Sequence, residues 1–232
     1  KQKKTYEQMR DQMVAELEGD LLITTSPLTK MTRMLQFSSS FAEIEYRPVR
    51  NKETKEVEDV PYVKLSDPSC KLDAFMEDLD DFGGESIVVF AVSSQLVRML
   101  SARLEKAKIP HGLITGEQDA VERQHHMDQF QSGKTKLILC TIAAGGTGIT
   151  LTTGSVAVFL QRSWSMIENL QAEARVHRIG SEQHDFVRII DYVTAGSVEE
   201  AVFEAVEAKS QQLEFILRDK DLIKKTLKGI KE

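Results

Sequence analysis

Gln171, Arg175 and Arg178 are the residues whose types and spacing point most directly to chemistry. On a helix of about 3.6 residues per turn, positions i, i+4 and i+7 fall on one face. Guanidinium groups stay charged and present a fork of donors that matches phosphate oxygens bidentately. Two arginines on one face therefore suit a bound anion, above all a nucleotide phosphate, although the same spacing also fits a solvated basic face. Upstream, Thr141 to Thr150 reads Thr-Ile-Ala-Ala-Gly-Gly-Thr-Gly-Ile-Thr. Its glycines permit close backbone approach, while Thr141 and Thr147 offer hydroxyls to a nucleic-acid backbone or to a cleft. This is not a nucleotide P-loop, which ends in Gly-Lys-Ser/Thr and opens a helix, because Ile149 follows Gly148. Ser132-Gly133-Lys134-Thr135 has that ending but lacks the upstream glycine, since residue 128 is Asp, and it precedes a strand. His125 and His126 are adjacent and cannot share a helical face, which disfavours a metal pair.

The elements that must position these residues are legible from periodicity. Ser165 followed by Glu168 is a capping box and Gly180 is suited to a C-terminal cap, so the arginine helix is expected to run between them. Lys136 to Cys140 and Val156 to Leu160 are apolar runs that read as buried strands flanking the glycine stretch. Earlier, a helix is expected over Leu72 to Phe82, a strand over Ile87 to Phe90, a helix over Ser94 to Lys108, a short strand over His111 to Thr115 and a helix over Asp119 to Gln131. Phe186 to Val193 supplies a further strand, and a long helix starts near Val198. Apolar strands alternating with amphipathic helices imply an α/β fold, a mostly parallel sheet covered on both faces. Ligands of such sheets collect at the carboxyl ends of the strands, where Thr141 lies. Before Asp67, the spacing predicts a helix over Thr5 to Leu17 ending near Gly19, and a second helix opened by Pro27 at its first position. It also predicts a hairpin with a solvated tip, or an insertion, from Ala42–Val49 and Val60–Leu65 around the charged tract Asn51 to Asp59.

With 232 residues, 41% of them apolar, the chain can bury a real core. A net charge of −6 argues against general polyanion binding without excluding phosphate contact on one face. Cys70 and Cys140 have no paired spacing, which fits a reduced, intracellular chain without structural zinc, and no apolar run approaches the length of a membrane span.

The order of motifs adds a resemblance. Gln171-Ala-Glu-Ala-Arg175-Val-His-Arg178-Ile-Gly180 resembles the last helicase motif of superfamily 2 in its Swi/Snf-like form, and Thr141 to Leu151 is similar to the motif before it. Trp164 with Ile167 and Glu168 is similar to the tryptophan segment between them. Ile87 to Leu100, Gly112 to Arg123 with Phe130, and Ser197-Val-Glu-Glu200 with Lys209 resemble the remaining blocks of the same lobe. The resemblance implies a RecA-like second lobe over 67–196, an N-terminal helical and hairpin connector over 1–66, and a C-terminal brace helix with a basic tail over 197–232. It implies that Arg175 and Arg178 act as arginine fingers on ATP, with Gln171, Gly146 and Gly148 beside the nucleotide. Thr141, Thr147, Gly116, Arg123 and Trp164 are then expected to lie along double-stranded DNA.

ATP and Mg2+ would be bound mainly by an N-terminal ATPase lobe of the same protein, since neither a Walker phosphate loop nor an Asp-Glu magnesium box is present here. The expected activity is that of a DNA-dependent ATPase and translocase, weak in this chain alone. A protein target on DNA is a possible partner, a membrane is not, and the location would be a bacterial nucleoid, a virus-infected cell or a nucleus. A strand-separating DNA or RNA helicase lobe and a non-catalytic protein-docking module of the same fold are the alternatives.

Overall fold

A computed structural model describes residues 2–12, 14–17, 20–23, 27–50, 55–145, 149–177 and 186–218. The chain begins with α1 (Gln2–Gln12), a small hairpin of β1 (Val14–Leu17) and β2 (Asp20–Ile23), and α2 (Pro27–Ser39). The expected helix to Leu17 therefore stops at Gln12. Val14 pairs with Ile23 and Leu17 with Asp20, so only two residues, one of them Gly19, separate the strands, and local cross-strand pairing takes over the apolar positions Val14 and Leu17. Pro27 opens α2 as its missing N–H favours.

The second hairpin is longer than its sequence signal. β3 (Phe41–Arg50) and β4 (Val57–Ser66) pair along their whole length, from Phe41 with Ser66 to Arg50 with Val57. After a turn at Asp67-Pro68 come α3 (Cys70–Asp78), a 3-10 turn (Leu79–Phe82), β5 (Ile87–Ala91), α4 (Ser94–Lys106), β6 (Gly112–Ile114), α5 (Ala120–Gln131) and β7 (Leu137–Thr141). One helical turn, α6 (Ile142–Gly145), follows, then β8 (Val156–Phe159), α7 (Met166–Val176), β9 (Arg188–Asp191) and α8 (Val198–Arg218). The side chains of Ser69, Ser93, Asp119 and Ser165 accept hydrogen bonds from the first turns of α3, α4, α5 and α7 and so fix where each helix starts.

Strands β5 to β9 form one parallel sheet in the order β6-β7-β5-β8-β9. The expected RecA-like α/β architecture is thus present, with the connector hairpin and the long C-terminal helix around it. Strands β5, β7 and β8 are buried throughout, and their alternate residues feed two cores. On one face Val88, Phe90, Ile138, Cys140, Ala157 and Phe159 meet Phe130 of α5 and Ala172 and Val176 of α7. On the other, Ile87, Val89, Leu139 and Val158 meet α3 and α4, and the same core continues through Phe37 of α2, Phe41, Val63 and Leu65 of the hairpin, and Tyr6 of α1.

A polar knot ties these parts together. Lys71 is 4% exposed; its ammonium donates to the carbonyls of Leu160 (2.6 Å) and Tyr192 (2.8 Å) and meets Glu199 of α8 at 2.5 Å. Glu199 also accepts from Ser38 (2.8 Å) and Ser39 (3.1 Å) of α2 and from the Thr194 N–H (3.0 Å). Burial pulls the Lys71 ammonium below its usual pKa range, and the Glu199 carboxylate opposes that pull.

Candidate nucleotide and nucleic-acid site

Helix α7 is held from both ends. At its start, the Asn169 amide grips the preceding turn: its Oδ1 accepts from Ser163 N–H (2.9 Å) and its Nδ2 donates to Ser163 C=O (2.8 Å). Ser165 accepts from Glu168 N–H, but the Glu168 carboxylate turns to the Ser163 hydroxyl (2.6 Å), so the capping box closes in one direction only. Ahead of the helix, the Arg162 guanidinium carbon stands over the Phe159 ring, 3.8 Å from its centre. Its guanidinium donates to both Asp191 oxygens on β9 (2.6 and 2.9 Å) and to Glu173 on α7. Burial works against the charge on Arg162, but the bonds to Asp191 and Glu173 outweigh it and hold the group above its usual range.

The far end of α7 comes earlier than its sequence signal. The helix closes at Val176 with His177 as its cap, at φ −95° and ψ 88°. The Arg175 carbonyl, one of the free acceptors at a helix end, takes the Leu151 N–H (2.9 Å) from the segment after the glycine stretch. Gly154 holds the same junction. A Cβ there would stand 2.8 Å from Val88 Cγ2 and 3.0 Å from Val176 Cγ1, so only glycine lets β5, α7 and this segment meet. Arg178 and Gly180 lie outside the described residues, and within α7 Gln171 and Arg175 share one face. Gln171 is exposed and Arg175 half-buried, while Ala172 and Val176 face the sheet.

The sheet separates the sequence-predicted residues into two groups. Thr141 ends β7, Gly116 and Trp164 follow β6 and β8, and all three lie at the carboxyl end of the parallel strands. Arg175 lies at the amino end: it bonds Leu151, and Gly154 just beyond leads into Ser155, whose N–H is held by Ser86 C=O before β5 (2.9 Å). Thr141 and Leu151 thus stand at opposite ends of the sheet, with α7 running between those ends.

Thr141 is buried, and its hydroxyl accepts the Ala144 N–H at 3.4 Å, capping the helical turn that replaces the start of the expected loop. Gly146, Thr147 and Gly148 lie outside the described residues. Gly116 is exposed, with open space where a Cβ would stand. Arg123 donates to Gln118 C=O (3.1 Å), and its Nε is buried with no hydrogen-bond partner among the described residues, so it shapes the Gly116 loop. Trp164 is 36% exposed beside the α7 cap.

Burial pushes the Cys140 thiol far up, out of reactive range, whereas Cys70 is exposed. Among the described residues no group of three or more His, Cys, Asp or Glu is placed to hold a metal ion. Sequence reasoning missed Arg162 and Asn169, and it placed Glu199 in a family-like block without giving it or Lys71 a role. For Arg162 a signal exists: it stands just past one apolar strand, and Asp191 ends the next, paired there with Phe159.

Residues 70–180 match the helicase conserved C-terminal domain. Human chromodomain-helicase-DNA-binding protein 1 is 32% identical over 149 residues, covering 62% of this chain and 8% of the relative. SWI/SNF-related matrix-associated actin-dependent regulator of chromatin subfamily A-like protein 1 of Xenopus laevis is 30% identical over 140 residues, covering 60% of this chain and 14% of the relative. The chain thus spans well under a fifth of either relative. In fold it is similar to the Sulfolobus solfataricus SWI2/SNF2 ATPase C-terminal domain, with a TM-score of 0.54 at 18% identity over 79% of this chain and 68% of that one. Residues 70–180 thus form a helicase conserved C-terminal domain on a RecA-like sheet, and in motif order and fold the chain is similar to the C-terminal lobe of Swi/Snf-like superfamily 2 helicase-type ATPases.

Proposed function

We propose that this chain is the second lobe of an ATP-dependent motor that moves along double-stranded DNA. In this reading Arg175 and Arg178 reach across a cleft to ATP held mainly by the first lobe, with Gln171, Gly146 and Gly148 beside the nucleotide. Thr141, Thr147, Gly116, Arg123 and Trp164 line the DNA backbone. Mg2+ would sit with the first lobe. The whole protein would work where DNA is held, in a nucleoid or a nucleus, and a protein bound to that DNA is a candidate target.

One observation carries the reading. Thr141, among the residues assigned to DNA, caps the turn after β7, and ten residues on Leu151 donates its N–H to the Arg175 carbonyl. In this reading a push at either end of the sheet would be carried to the other by helix α7, which runs between those ends. Bound ATP would supply the chemistry of phosphoryl transfer. This chain's residues would neutralise charge growing on the transferred group, position the lobe and exclude water. Contact with the backbone in place of base edges implies little sequence preference.

The test is DNA-stimulated ATPase activity of the two-lobed enzyme, wild type against Arg175→Ala and Arg178→Ala, with nucleotide affinity measured alongside. Turnover is expected to fall by about 10³-fold, as for loss of an arginine finger, while nucleotide affinity changes little and the isolated chain hydrolyses ATP poorly. Unchanged turnover in both variants would return the arginine face to a structural role.

A further inference from the structure

The loop after β6 is held by its own bonds. Buried Thr115 donates its N–H (2.6 Å) and its hydroxyl (2.8 Å) to Gln118 Oε1, and the same hydroxyl accepts the Glu117 N–H at 3.4 Å. Arg123 donates to the Gln118 carbonyl, and Asp119 caps α5. The backbone around Gly116 is thus set without the Glu117 side chain, which is 63% exposed.

That side chain reaches across the carboxyl end of the sheet. Its carboxylate pairs with the guanidinium of Arg98, which stands in the second turn of α4 and is 47% exposed. Helix α4 follows β5, Glu117 follows β6, and β7 lies between those two strands. The pair therefore joins elements on either side of the end of β7, where Thr141 stands. Exposed ion pairs hold weakly, because water screens both charges and two long side chains must be ordered. At the same edge Arg162 is committed to Asp191 and Glu173 with only 12% of its side chain exposed. Among the described residues Arg98 has Glu117 as its one ion-pair partner.

We infer that Arg98 is a phosphate-binding residue of this edge and that Glu117 occupies it until DNA arrives. A backbone phosphate then takes the place of the Glu117 carboxylate, which turns out to solvent. DNA is the occupant because Gly116, Thr141 and Trp164 at this edge are assigned to it in the proposed function, on which this inference rests. Guanidinium forks donate to carboxylate and phosphate oxygens alike, so the two anions compete for one site. With a phosphate on Arg98, Glu117 would meet a like charge if it stayed, so the two arrangements exclude each other. Thr115 and Gln118 keep the loop in place throughout, and only side chains move. The edge is then less attractive to DNA at rest than its arginines alone would make it.

The experiment measures fluorescence anisotropy of the two-lobed enzyme, without nucleotide, on a labelled blunt duplex over a range of salt. It compares wild type, Arg98→Ala, Glu117→Gln, the double variant and Trp164→Ala. Arg98→Ala is expected to weaken binding and to reduce the slope of log affinity against log salt by about 1, the share of one phosphate contact. Glu117→Gln is expected to tighten binding by roughly two- to five-fold, the range of one exposed ion pair, a gain that a folding defect cannot produce. In the Arg98→Ala background that gain should shrink, because no guanidinium is left to release. An unchanged salt slope in Arg98→Ala, or a gain from Glu117→Gln as large without Arg98 as with it, overturns the inference. Trp164→Ala separates the two failures. If it weakens duplex binding while Arg98→Ala does not, the DNA track stands and the ion pair only braces α4 against the loop; if neither has an effect, the DNA assignment of this edge fails as well.

Discussion

At the residue scale, the arrangement of the site depends on a glycine that no motif highlights. Gly154 lies where β5, α7 and the segment from Thr141 converge, and the clash distances of 2.8 and 3.0 Å leave no space for a methyl group. Gly154→Ala is expected to destabilise the chain by about 1–3 kcal/mol, the usual cost of overpacking a filled site, read as a lower urea midpoint at unchanged slope. An unchanged midpoint would mean that Val88 and Val176 yield freely. Arg162 shows the same dependence on surroundings. Sequence alone presents it as one more charge after an apolar strand, but its stack on Phe159 and its bonds to Asp191 and Glu173 join β8, β9 and α7.

At the element scale, the start of the arginine helix was legible and its end was not. Ser165 caps α7 as its spacing with Glu168 suggests, because an N-cap is a contact between near neighbours. At its far end Leu151, a residue distant in sequence, takes up the Arg175 carbonyl, a contact that no local signal encodes. The first helix is a similar case, its pattern interrupted after Gln12 by a strand pairing with residues further along.

The buried Lys71–Glu199 pair joins α3 to α8 and carries a prediction at this scale. Glu199→Ala leaves the Lys71 ammonium buried and uncompensated, and should cost about 3–5 kcal/mol. The double substitution Lys71→Met with Glu199→Leu removes both charges and should recover part of that loss, but not all, because the Leu160 and Tyr192 carbonyls lose a donor. A double-mutant cycle by denaturant unfolding measures the coupling, and additive losses would show that the two side chains act independently.

At the scale of the whole molecule, connector and lobe share one interior. Phe37, Phe41, Val63 and Leu65 belong to the same apolar cluster as Ile87, Val89 and Leu139. Removal of residues 1–66 should therefore expose a face of α3 and α4 and abolish cooperative folding, whereas the whole chain should unfold in one transition. Calorimetry of the two chains checks this, and a sharp transition in the shortened form would establish 67–232 as self-sufficient. The composition suggested a hairpin with a solvated tip; the tertiary arrangement adds that Gln95 of α4 holds this hairpin, donating to Val63 C=O and accepting from Leu65 N–H.

By itself the sequence determined the alternation of strands and helices, the parallel sheet, the helix starts and the family. Each of these rests on periodicity, caps or motif order, which are interactions between residues close in the chain. Only the tertiary structure decided that Thr141 and Arg175 stand at opposite ends of the sheet, that Arg162 and Asn169 fix the helix between them, and that Lys71 and Glu199 close the core from either side. These are long-range contacts, and whether a buried charge is paired or a helix end is capped depends on side chains far away in sequence, which the local pattern does not encode.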